Sequence, residues 1–173
     1  METPLEVLRR ISKEEPNLIL IKVADQTISY GDAWQRIRQF ANLIVKQLHH
    51  QSHSDHHDNQ SIPSLNRGKL CVVGLHVTAE VDFILGVYAI WMIGATPCVF
   101  NKDWSIETRQ TLVERLGIKV MLFSQLGKPV DDMSGVLLLD LKMADDVSPC
   151  DVWTPNNTAM GGRQLSLNNF ANL

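Results

Sequence analysis

The residues that decide the fold run from Leu70 to Phe100, LCVVGLHVTAEVDFILGVYAIWMIGATPCVF. Leu70 to Leu75 is a continuous apolar run rich in valine, the pattern of a parallel strand covered on both faces by helices. A helix is expected directly after it. Thr78 is placed to cap that helix, and Glu80 and Asp82 put negative charge in the first turn, where the positive end of the helix dipole favours it. The helix body is apolar all round, through Val81, Phe83, Ile84, Leu85, Val87, Tyr88, Ile90, Trp91, Met92 and Ile93. That pattern predicts a helix inside a core rather than on a surface. Gly94 is expected to stop it, and Ala95 to Phe100 to return as a second strand. A strand, a helix and a strand of these lengths make a right-handed parallel crossover. The rival reading is a membrane span over Phe83 to Phe100, which is long and carries no charge. Gly94 and Pro97 interrupt the run and no positively charged flank adjoins it, so a core element is the expectation.

Downstream, Ser105 is expected to cap a helix that runs through Leu116 and closes at Gly117, followed by strands at Ile118 to Phe123 and Val136 to Leu141. Upstream, Thr3-Pro4-Leu5-Glu6 is a capping box with proline at the first helical position. Leu18 to Val23 and Gln26 to Ser29, separated by Ala24-Asp25, read as a small hairpin. Ser29 then caps an amphipathic helix whose apolar stripe is Trp34, Ile37, Phe40, Ala41, Ile44, Val45 and Leu48. Strands alternating with helices predict an α/β fold: an open, mainly parallel sheet with helices on both faces.

From His49 to Gly68 the composition changes to HHQSHSDHHDNQSIPSLNRG, which holds five of the six histidines. It reads as an inserted, solvated loop. The pairs His49/His53 and His53/His57 have a spacing that puts two imidazoles on one helix face, and Asp55 and Asp58 add oxygen donors. Without cysteine partners or a supporting scaffold the tract is read as a polar insertion, and no metal site is assigned. The net charge of -3 and the scattered Lys and Arg argue against a nucleic-acid surface. Cys71, Cys98 and Cys150 are an odd, widely separated set and read as reduced thiols. The start METPLEVLRR has no apolar signal core, so a cytoplasmic location is the expectation.

Ligands bind open α/β sheets beyond the carboxyl ends of the strands. The chain has no G-x-G-x-x-G, G-x-x-x-x-G-K-[ST], G-x-S-x-G or H-E-x-x-H. Ser124 and Ser134 have no evident histidine partner, and Asp140 at a strand end reads equally as a solvated terminus or a site residue. No catalytic residue is assigned.

The element order and several segments resemble the N-terminal part of adenylate-forming enzymes, the superfamily of acyl-CoA synthetases, peptide-synthetase adenylation domains and luciferases. Ile28-Ser29-Tyr30-Gly31-Asp32-Ala33 resembles that family's "TYxEL" helix start. Ala79-Glu80-Val81-Asp82-Phe83 through Gly94-Ala95-Thr96-Pro97 is similar to "pExvxaxlAxlxAGAvxvPln". Asn101, Trp104-Ser105 and Glu107 stand where "NPxyPxeEl" is expected, and Gly117-Ile118-Lys119-Val120-Met121-Leu122 resembles "sgakvll". The resemblance covers roughly residues 3 to 141.

Two departures accompany it. The family joins its tyrosine-led helix to the next strand by a few residues, where this chain has the histidine-rich insertion. The family's phosphate loop, "TSGTTGxPKG", should follow near the chain end, yet only its edges are recognisable: Asn156-Asn157-Thr158-Ala159-Met160 resembles the approach, and Gln164 to Leu173 the helix beyond. Between them Gly161 and Gly162 are the candidate cofactor-binding remnant, with a flexible turn before a capped helix as the plainer reading. The resemblance implies residues 1–148 as an N-terminal subdomain with the insertion at 49–68, and residues 149–173 as a tail holding the loop remnant and a truncated helix. For the complete family enzyme it implies ATP and magnesium, an acyl-adenylate, and transfer to a CoA or pantetheine thiol. Two alternatives stay open: a non-catalytic interaction or regulatory module of the same fold, and an unrelated flavodoxin-like domain. Implied partners are the remainder of such an enzyme or a second copy, met through uncovered apolar surface, with no nucleic acid and no membrane span.

Overall fold

Local signals place the first elements of the computed structural model, which describes residues 2–24, 26–52, 71–77, 79–124, 133 and 135–144. Helix α1 (Pro4–Glu14) opens on the expected capping box: the Glu6 amide donates to Thr3 Oγ1 and the Thr3 amide donates to Glu6 Oε2, at 3.3 and 2.8 Å. Strands β1 (Ile19–Val23) and β2 (Gln26–Ser29) form an antiparallel pair, with Ala24 at a positive φ of 44° in the turn. Helix α2 spans Tyr30–Ser52, its first turn tied by the Asp32 amide donating to Ser29 Oγ. Its backbone runs four residues into the histidine tract, because no Gly or Pro stands there to stop propagation. The rest of the tract lies outside the described residues.

Strand β3 (Val72–His76), helix α3 (Glu80–Met92) and strand β4 (Thr96–Val99) are the expected crossover unit. Helix α4 (Ile106–Leu116) starts at a Ser105 cap and ends at Gly117 with φ 63°. Strands β5 (Val120–Phe123) and β6 (Leu137–Asp140) follow, then a 3-10 turn at Leu141–Ala144. The four strands β4-β3-β5-β6 form one parallel sheet. Val73, Leu75, Val120, Leu122 and Leu139 point from it into a core shared with α2 and α3. Met121, Phe123, Cys98 and Leu138 point the other way, into a smaller core with Val113 and Leu112 of α4. Helices therefore cover both faces, as the alternation of elements predicts.

The run from Phe83 to Phe100, for which a membrane span is the rival reading, forms the expected helix, turn and strand, with Gly94 at φ 75°, and no helix of the described residues is long and apolar enough to cross a membrane. Two details differ from expectation. The N-cap of α3 is Ala79, which makes no side-chain hydrogen bond, and Thr78 lies outside the described residues. The apolar helix α3 is enclosed on one side only. Val81, Leu85, Ala89 and Ile90 are buried, whereas Phe83, Ile84, Val87 and Tyr88 are half-buried and Trp91 is 46% exposed. A helix lying on one face of a sheet, with α2 alongside, has neighbours below and beside it, and its outer side stays open.

The contact between α3 and the sheet is unusually close at Gly86. A Cβ there would lie 2.9 Å from Leu75 Cδ1 and 3.8 Å from Leu122 Cδ1, and both leucines are fully buried. Gly86→Val would gain roughly 0.4 kcal/mol in helix propensity. It would lose about 2 kcal/mol by overpacking. Urea unfolding should therefore show a lower midpoint for Gly86→Val; an unchanged midpoint would mean that the helix can lift off the sheet without cost.

Candidate functional site at the strand carboxyl ends

The connection from β3 to β4 leads to one side of β3, and the chain then returns to the other side for β5. The strand order therefore reverses between β3 and β5, which is where open α/β sheets form their ligand crevice. His76 ends β3 in register with Phe123 of β5, and Phe123 is in register with Asp140 of β6. Partners in parallel register share a face, so His76, Phe123 and Asp140 form one row on the α4 side of the sheet. Ser124 is the first residue after β5.

Each of these polar groups has a definable state. His76 is half-buried, with Nδ1 3.3 Å from the Phe100 carbonyl oxygen. A carbonyl only accepts, so Nδ1 carries the proton and Nε2 of the neutral ring is the acceptor. Burial is the main cause of a pKa below the ordinary histidine value, opposed by the Phe100 bond and reinforced by the positive charge of Arg109. The Arg109 guanidinium is itself engaged: Nε and Nη2 donate to the Trp104 carbonyl at 3.0 and 2.8 Å, and Nη2 also donates to the Lys102 carbonyl at 3.2 Å. It staples the loop between β4 and α4. Asp140 is 6% exposed, and its Oδ1 accepts from the Lys142 amide at 3.0 Å, which caps the 3-10 turn. Asp140 is thus a buried structural carboxylate rather than a solvated terminus.

Ser124 is 9% exposed and its Oγ has no hydrogen-bond partner among the described residues. It is not paired with His76, and an activated serine nucleophile requires a base within about 2.6–3.2 Å. The row is consequently an arrangement of committed groups around one neutral imidazole. His76 carries no motif in the sequence; its position just beyond the strand expected at 70–75 is the available signal. Gly161, Gly162, Ser134 and His53 to His57 lie outside the described residues. Burial pushes the Cys71 and Cys98 thiols up, and both are free.

A histidine whose folded pKa is depressed binds fewer protons in the folded than in the unfolded state. Its contribution to stability is then full above the unfolded value, about 6.5, and is lost as pH falls below it. Thermal unfolding should show a fall in Tm between neutral and mildly acid pH that is smaller in His76→Gln. Parallel pH profiles for the two proteins would contradict a neutral, half-buried His76.

No protein-family model matches the chain. An uncharacterized protein of Schizosaccharomyces pombe is 27% identical over 157 residues, which is 86% of this chain and 14% of that protein. Among solved structures, O-succinylbenzoate coenzyme A synthetase (MenE) of Bacillus subtilis in complex with AMP matches 82% of this chain at a TM-score of 0.60 and 15% identity. The same enzyme with the acyl-adenylate intermediate OSB-AMP matches 85% at 0.61 and 14% identity. The NpsA N-terminal subdomain of Klebsiella oxytoca, in complex with 3-hydroxybenzoyl-AMSN, matches 84% at 0.61 and 12% identity. The chain spans 32%, 33% and 32% of those three chains. The sheet and its flanking helices thus have the fold of the N-terminal subdomain of adenylate-forming enzymes.

Proposed function

We propose that the chain is the N-terminal part of an AMP-forming, acid-activating ligase. In the complete reaction a carboxylate attacks the α-phosphate of ATP, pyrophosphate leaves, and the acyl-adenylate passes its acyl group to a CoA or pantetheine thiol. The observation that carries this reading is the match of more than four-fifths of the chain to enzymes bound to AMP and to an acyl-adenylate. Residues 1–148 are assigned as the subdomain and 149–173 as the tail with the Gly161-Gly162 remnant.

The described residues do not fit ATP or magnesium. The helix N-termini that follow the strand ends carry carboxylates, Glu80 and Asp82 on α3 and Glu107 on α4, where a phosphate-binding helix needs free amides and no competing negative charge. Asp82 is already paired with Arg36 at 3.4 Å, and the Arg109 guanidinium is engaged with backbone carbonyls. Phosphate handling is therefore assigned to polypeptide other than this sheet. The subdomain's part is to present a rigid parallel sheet against which the nucleotide-binding segments pack.

A second reading, an interaction or regulatory module that keeps the fold without the chemistry, is favoured by one feature. The segment from Asn156 to Phe170 has neither a lysine nor the serine, threonine and glycine run of a phosphate loop. Pyrophosphate exchange with a panel of fatty, aryl and amino acids separates the two readings. It is run on the 173-residue chain and on any longer translation product that contains it. Each missing electrostatic contact costs roughly a hundred- to a thousandfold in rate. The expected outcome is exchange only from a product that also carries a phosphate loop and a C-terminal lysine domain. Exchange that tracks with the purified 173-residue chain would overturn the assignment of chemistry elsewhere, and a longer product without exchange would favour the regulatory module.

A further inference from the structure

We draw no further inference here: the strongest candidate, the apolar outer face of α3 on which half-buried Phe83, Ile84, Val87 and Tyr88 flank the exposed Trp91, carries none because nothing in the structure shows what covers it.

Discussion

The close approach of α3 to the sheet at Gly86 is the contact on which most of the structure depends. With no side chain there, the helix backbone settles onto the sheet, and Leu75 Cδ1 reaches into the space a Cβ would take. That depth lets Val81, Leu85, Ala89 and Ile90 reach the sheet and brings α2 alongside, where Ile37, Phe40 and Ile44 complete the same core. The Arg36–Asp82 pair joins the two helices at the rim, and half-exposed charges of this kind contribute little compared with the leucine packing beneath them. Helix α1 and the hairpin then pack onto this assembly through Leu8, Ile21 and Ile28. A second glycine repeats the device on the opposite face: a Cβ at Gly74 would meet Met121 at 2.9 Å, so the side chain of one central strand lies over the backbone of the next.

The functional consequence of this packing appears at the carboxyl ends of the strands. The crevice that many α/β proteins use for ligands is occupied here by internal duties: His76 holds the Phe100 carbonyl, Arg109 holds the loop after β4, and Asp140 caps the turn after β6. Carboxylates sit at the helix N-termini where a phosphate would otherwise be attracted. In the solved counterparts a unit of this fold makes up about a third of the chain.

Local signals in the sequence were sufficient for the elements themselves. The capping box at Thr3-Pro4-Leu5-Glu6, the Ser29 and Ser105 caps, and glycines 94 and 117 at positive φ each act within a few residues, and strand and helix boundaries fell close to where they point. The apolar, valine-rich run at 70–75 and the alternation of strands with helices determine a parallel sheet covered on both sides, because such a strand has no polar face to turn to water. The extent of α2 was read short, since no stop signal marks its end and the histidine tract differs from it in composition rather than in helix-forming power.

The sequence by itself thus determined the elements, their order and the fold class, all of which follow from periodicity and from residues acting on near neighbours in the chain. Only the tertiary structure decided which side of α3 is enclosed, because an apolar helix carries no polar stripe to orient it and the choice depends on where Gly86 meets the sheet. It also decided the state of the strand-end groups. The partners of His76 and Arg109 are backbone carbonyls of Phe100, Lys102 and Trp104, and a carbonyl leaves no mark in the residue types.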